Sequence, residues 1–274
     1  MSRGRGDAAM VPGEKLCLWN GRALFLGAVP DLDFHQQAAA LVCIGIDGDF
    51  ELARDGAEPV VCGSALIGPQ IYHALRPRGK RCAFLFFDPD NPDYDFLTAS
   101  NARGAATGML VSLNEEEKLR SIFTTISACA DDHMLREALA GLELAPHEDK
   151  VAAVDDQRIQ LVMRRLISEP GESIPIETLA AAVDISPSRL AHLFKEQVGV
   201  PIRMFRTWYR LKTAILCLKD GMTLTDAALR AGFYDSAHFT NTFRDTFGLS
   251  PSLIFSPQRR LHWYLGETAF AVPS

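Results

Sequence analysis

Two short stretches of this chain place small polar residues along one side of a predicted helix. In the first, Ser188, Ala191, His192 and Lys195 fall together. In the second, Ala237, Asn241 and Arg244 do so, flanked by His238 and Thr240. Residues three and four apart share a helix face. Hydroxyl, amide, imidazole and cationic groups on such a face, with no bulky apolar neighbour among them, offer hydrogen bonds and positive charge. This is recognition chemistry, suited to base edges and phosphates in a DNA groove. Bond-breaking chemistry has no equivalent signal. The sequence contains no G-x-S-x-G, no phosphate-binding glycine loop and no H-E-x-x-H, so no catalytic residue and no enzyme is expected. No H-x-H occurs either, so neither a metal site nor another cofactor is expected.

Such faces must be carried by elements that hold them outward. In "IPIETLAAAVDISPSRLAHLFKEQVGV" the pattern predicts a short helix over Glu177–Val183 and a turn at Asp184-Ile185-Ser186. A second helix opens at Ser186 or Pro187, with Leu190, Leu193, Phe194 and Val198 on its buried side, and stops at Gly199. This is helix-turn-helix spacing. "AGFYDSAHFTNTFRDTFGLSPS" repeats the plan. Thr225–Ala231 is a short helix, Gly232–Asp235 a turn, and a helix runs from Ser236 to Gly248. Ala180 matches Ala228, Phe194 matches Phe243 and Gly199 matches Gly248, which makes the two halves an internal repeat. Phe239, Phe243 and Phe247 lie four apart and form one stripe, with Phe233 packing from the turn. A three-turn helix needs that broad apolar anchor if its other face is to stay free.

Between the repeats, "PIRMFRTWYRLKTAILCLK" reads as a helix opened by Pro201 and closed near Gly221. It would span about 28 Å at 1.5 Å per residue. Successive major grooves on one side of DNA lie about 34 Å apart. A stiff connector of that length can hold two recognition helices in adjacent grooves.

The chain has 274 residues, enough for two domains, with 47% hydrophobic content. Its net charge of −6 is uneven. Residues 1–150 carry 14 Lys+Arg against 22 Asp+Glu, and residues 151–274 carry 14 against 12. The second half is the better partner for a polyanion. Cys17, Cys43, Cys62, Cys82, Cys129 and Cys217 form no C-x-x-C pair and sit among apolar neighbours, as expected for packing in a reducing compartment. No long apolar run is free of charge, so neither a leader nor a membrane span is expected, and the location is read as cytoplasmic.

Residues 15–111 alternate short apolar runs with turn signals. Strands are expected at Ala23–Val29, Ala38–Ile46, Phe50–Arg54, Ser64–Ile67, Ile71–Leu75 and Arg81–Phe87, as in a small barrel or sandwich. Residues 114–144 switch to helical period. Asn114 and Glu117 resemble a reciprocal cap, and Glu115–Glu117 a solvated first turn. Leu119, Ile122, Phe123 and Ile126 make one apolar face. Met134, Leu135, Ala138 and Leu139 make another. These faces suit a hairpin packed on the strands or a dimer contact.

Residues 155–256 resemble the DNA-binding domain of the AraC/XylS family of bacterial transcription regulators. The carrying residues are "LAAAVDISPSRLAHLFKEQVGV", "RLKTAILCLKDG" and the Ala231–Ser252 segment. The resemblance implies seven helices, with base contacts from Ser188, Ala191, His192 and Lys195, then Ser236, Ala237, Thr240 and Asn241. Three positions depart from the family pattern. Asp184 replaces a usual Gly, Ala237 a small hydroxyl residue, and Ile254-Phe255 the usual Tyr-Arg. "CGSALIGPQIYHAL" is similar to the strand-turn-strand of the cupin-like effector domains that precede this domain in many members.

The expected fold is therefore α+β in two domains. Residues 1–14 form a disordered or loosely held N-terminus, and 15–111 a small cupin-like β-barrel for effector binding or dimerisation. A helical hairpin at 112–145 and a linker at 146–154 follow. The all-α DNA-binding domain occupies 155–256, with two helix-turn-helix units joined by a long helix, and 257–274 form a C-terminal tail. His35 and His73 are the candidates for effector contact, with a buried structural role as the alternative. His192 and His238 read equally as base-reading or merely exposed residues. The DNA-binding set is Ser188, Ala191, His192, Lys195, Ser236, Ala237, His238, Thr240, Asn241 and Arg244. The expected function is a sequence-specific transcription activator. Its expected partners are operator DNA, a small-molecule effector, RNA polymerase and a second copy of the chain. The alternatives are a β-barrel enzyme with a DNA-binding appendage and an N-terminal interaction module without effector.

Overall fold

Alternating side chains divide the N-terminal part into two cores. In β1 (Glu14–Trp19), Leu16 and Leu18 join one core while Cys17 and Trp19 join the other. The same division runs through β2 (Arg22–Ala28), β4 (Ala40–Gly45), β7 (Ser64–Ile67) and β9 (Arg81–Phe87). In the computed structural model, which describes residues 13–89, 91–101, 108–145, 154–256 and 258–266, these strands form a seven-stranded sheet with β10 (Met109–Val111) and β11 (Leu261–Leu265). Its order is β10-β7-β4-β9-β2-β1-β11. A second sheet, β3-β8-β5-β6, contains β3 (Leu32–His35), β5 (Phe50–Arg54), β6 (Val60–Cys62) and β8 (His73–Arg76).

The described strands make two open sheets and no closed one, which corrects the expected barrel. Closure is unnecessary because other elements cover the large sheet. α2 (Glu116–Ala128) and α3 (Asp132–Ala140) bury Leu119, Phe123, Ile126, Leu135 and Leu139 on one face. These belong to the hairpin faces noted in the sequence, which pack on the sheet, while Met134 of the second face is exposed. The other face meets the small sheet and the second helix-turn-helix unit. The Asn114 cap is also corrected. α2 starts after Glu115 with no side-chain cap, and Asn114 instead donates to the Ser100 carbonyl.

Five strands have no counterpart among those expected from the sequence: β1, β3, β6, β10 and β11. The β1–β2 hairpin does carry a signal. Asn20 and Gly21 have φ of 40° and 70°, as an Asn-Gly hairpin turn requires. β11 lies in the expected tail and pairs in parallel with β1, from Glu14↔Leu261 to Leu18↔Leu265. α1 (Pro92–Ser100), capped by Asn91, is a further element that the apolar pattern does not announce. Most of the linker, residues 146–153, and most of residues 1–14 lie outside the described residues.

The C-terminal part runs α4 (Gln157–Ser168), α5 (Ile176–Ala181), α6 (Pro187–Val198), α7 (Ile202–Lys219), α8 (Leu224–Arg230), α9 (Ser236–Phe247) and α10 (Pro251–Ile254). These are the seven helices that the resemblance implies. Ser186, Thr223 and Asp235 cap helix starts through their side chains. Gly199 and Gly248 stop α6 and α9 in the left-handed conformation, at φ of 80° and 73°.

Candidate nucleic-acid interface

On α6, Ser188, Ala191, His192 and Lys195 are all exposed, while Leu190, Leu193, Phe194 and Val198 are buried. The Ser186 hydroxyl accepts the Arg189 N–H at 3.2 Å and fixes the first turn. On α9, Ala237, His238, Asn241 and Arg244 are exposed or half-buried, as are Ser236 and Thr240. Phe239 and Phe243 lie beneath them in the core. The ten residues singled out in the sequence thus divide into two sets on the outward sides of two helices.

Local contacts shape the second face. The Asp235 carboxylate accepts the His238 N–H at 2.7 Å. The Tyr234 N–H donates to His238 Nδ1 at 3.3 Å, which leaves Nε2 to carry the proton and act as a donor. Arg244 reaches Asn241 Oδ1 at 3.5 Å. In the first unit, Asp184 takes φ of 53° in the turn. This is the left-handed geometry for which a glycine would serve, and Asp tolerates it.

The two faces are joined by α7, whose 18 residues span about 27 Å. Phe205, Trp208, Tyr209, Leu211 and Lys212 are buried along it. Lys212 is an unexpected member of that set. Its ammonium donates to Asp88 Oδ2 at 2.7 Å, both side chains being almost fully buried. The Trp208 indole donates to Asp88 Oδ1 at 2.7 Å and the Tyr209 hydroxyl to Oδ2 at 3.1 Å. One carboxylate at the end of β9 therefore collects three donors from the connector helix.

The N-terminal part also grips the second unit. The Asp33 N–H donates to the Gly248 carbonyl at 2.9 Å, and the Gln36 N–H to that of Asp245 at 3.2 Å. A side chain at Gly248 would collide with the Asp33 carbonyl oxygen and His35 Nδ1, each 2.7 Å from a Cβ there. Ile254 is buried, and Phe255 packs between Phe243 and Trp263 at centroid distances of 6.0 and 5.9 Å. The departure from Tyr-Arg at this end thus serves domain docking. Between sheet and helices lies an apolar cavity of about 80 Å3, lined by residues such as Leu18, Phe25, Phe84, Phe243 and Phe247, with His35 and Lys212 as its polar members.

His35 and His73 are brought together as register partners of β3 and β8, with ring centroids 4.3 Å apart. Each Nδ1 lies against a carbonyl oxygen, of Asp33 at 2.7 Å and of Ile71 at 2.8 Å. His35 lines the cavity. His73 stands behind it, fully buried, with no partner for Nε2 among the described residues. Burial, with the His35 charge adding to it, pushes the His73 pKa down to about 3, and burial lowers that of His35. The folded chain thus refuses a proton that the unfolded chain takes up below about pH 6.5. Stability should be full above that pH and fall as the pH drops toward 3, with a slope for His73 of up to about 1.4 kcal/mol per pH unit. Melting temperatures across that range should show this slope, and His73→Phe should flatten it.

Residues 179–255 match the family model described as a helix-turn-helix domain. The Transcriptional activator NphR of Rhodococcus is 28% identical over 240 residues, covering 81% of this chain and 71% of that protein. The Arabinose operon regulatory protein of Escherichia coli is 36% identical over 78 residues, 28% of this chain and 27% of that protein. The HTH-type transcriptional regulator MtrA of Neisseria gonorrhoeae is 31% identical over 97 residues, 35% of this chain and 32% of that protein. The chain thus spans between about a quarter and a third of the length of these last two relatives. Among solved structures, ToxT of Vibrio cholerae superposes with a TM-score of 0.57 at 12% identity, covering 87% of this chain and 98% of that one. That likeness shows the shared two-part fold.

Proposed function

The chain belongs to the AraC/XylS family of transcription regulators, and on that premise we propose that it is a sequence-specific, DNA-binding activator whose N-terminal part senses a small molecule. The observation that carries the DNA-binding reading is the pair of polar faces on α6 and α9, held about one connector helix apart by a buried apolar anchor. Ser188, Ala191, His192 and Lys195 read one groove segment in this proposal. Ser236, Ala237, His238, Thr240, Asn241 and Arg244 read the next. The cupin-like N-terminal part acts on them through the domain interface. Its effector site is the apolar cavity, where His35 and Lys212 meet side chains of both parts. A homodimer, contact with RNA polymerase and a cytoplasmic location complete the proposal. Among the described residues no helix is long and apolar enough to cross a membrane.

Binding through two units neutralises several phosphates and releases their counterions. Affinity should then fall steeply with salt, by about a thousandfold between 50 and 200 mM if roughly six phosphates are contacted. Titration of the full chain on duplex DNA at a series of salt concentrations measures this. A nearly flat dependence would sink the reading. Genomic footprinting would name the operators and the neighbouring genes.

A further inference from the structure

The loop 169–175 joins α4 to α5 inside the first unit, yet it rests against the second. A Cβ placed on Gly232, in the turn before α9, would lie 2.2 Å from the Gly171 carbonyl oxygen and 2.7 Å from its Cα. Gly232 also has φ of 81°, so this turn is closed to side chains on two counts. From the other side, a Cβ on Gly171 would meet the Arg230 carbonyl oxygen at 3.2 Å. The two units therefore touch backbone to backbone at this point.

Two arginines on α7 hold the loop there. Arg206 donates to the Ile174 carbonyl at 2.6 Å. Arg210 Nε donates to the Pro170 carbonyl at 2.9 Å, and a terminal nitrogen of the same fork reaches that of Glu172 at 3.4 Å. The two residues stand about one helical turn apart and are half-buried. Burial lowers the pKa of both, and the Arg206 charge lowers that of Arg210 further. Like charges four residues apart disfavour a helix. The rigid fork of arginine, able to bind two carbonyl groups at once, explains the choice of residue.

A single helix sets the distance between the units at its ends, while their mutual tilt depends on contacts beyond it. The loop is such a contact, and it lies just before α5 on one side and just before α9 on the other. We infer that Arg206 and Arg210 are positioning residues of the DNA interface: by holding the 169–175 loop on Gly232 they set the tilt between α6 and α9, and with it the half-motif spacing that the chain accepts. This rests on the DNA-binding reading above.

The test uses the full chain and a duplex selected by it from a random pool. Inserting one base pair between the two halves moves one half-motif by about 3.4 Å and turns it by roughly 35°. The wild-type chain should lose about tenfold or more in affinity on the lengthened duplex, comparable to one mismatched pair. The Arg206→Ala/Arg210→Ala chain should bind the original duplex more weakly and the lengthened one within about threefold of it. Arg206→Lys/Arg210→Lys keeps one donor group at each position and should restore part of the discrimination. A double alanine variant that melts earlier but keeps the wild-type ratio between the two duplexes overturns the inference, since the arginines would then only stabilise. If that variant is unfolded at the assay temperature, Arg210→Gln is measured in the same way, and an unchanged ratio overturns the inference equally. A selection that enriches no duplex would reject the DNA-binding reading instead.

Discussion

Phe243→Ala should melt early and lose DNA binding of every kind, specific and non-specific alike, whereas Asn241→Ala should melt normally and lose only specificity. The two residues share α9 but face opposite ways. Phe243 is 3% exposed and packs against Phe239, Phe247 and Phe255 at centroid distances of 5.8, 4.5 and 6.0 Å. It also lines the cavity shared with the N-terminal sheet. Truncation enlarges that cavity and removes a large apolar side chain, which costs about 3–5 kcal/mol. This is a sizeable part of the roughly 5–15 kcal/mol that holds a domain together. Asn241 is exposed, and such changes usually stay within about 0.5 kcal/mol. If its amide reads a base edge, its loss costs about 1–3 kcal/mol on the operator and relaxes choice at one or two base pairs. Phosphate contacts from other residues leave non-specific binding nearly unchanged. A thermal melt and a titration on cognate and scrambled duplexes measure both. Equal destabilisation by the two substitutions would mean that the faces of α9 are inverted. Wild-type binding of both duplexes by Asn241→Ala would remove it from the recognition set.

The second large effect is expected at Asp88. Asp88→Ala takes the carboxylate away from the buried Lys212 ammonium and from the donors of Trp208 and Tyr209. Breaking one side of a buried ion pair costs about 3–5 kcal/mol, because a charge is left in a poorly solvated place. For a chain of this size that lowers the melting temperature by about 10 °C. Replacing both charges with apolar side chains, Asp88→Leu with Lys212→Met, should recover most of the loss, since neither desolvated charge then remains. The comparison of single and double variants by calorimetry separates the two contributions. Equal melting of wild type and Asp88→Ala would show that the pair does not clamp the connector to the sheet. Because one apolar core runs from the sheet into the second unit, wild-type melting should be a single transition.

The aromatic stripe of α9 shows where local pattern is informative. Phe239 and Phe243 are buried under an exposed Asn241, as spacing by four predicts. By its periodicity alone the stripe reads as the anchor of one small domain, however, and the structure uses its far end differently. Phe247 meets Phe86 of β9 and Trp208 of α7, at centroid distances of 5.6 and 6.1 Å. Nothing in the periodicity of a helix says whether its apolar side faces its own domain or the next.

The sequence alone was sufficient for both helix-turn-helix units, the connector helix and the two outward faces. Helix caps, glycine stops and apolar repeats of three and four act between residues within a turn or two of one another. The tertiary structure decided everything that joins distant segments. The expected tail became a strand on β1, Lys15 coming to lie 3.3 Å from His262. His35 met His73 across a strand pair. Asp88, which reads as an ordinary acidic residue after a strand, accepted Lys212 from 124 positions away. Such contacts leave no local trace because sheet edges and buried ion pairs are satisfied by whichever segment the packing brings to them. The partner is chosen by burial of the whole apolar surface rather than by the residues on either side.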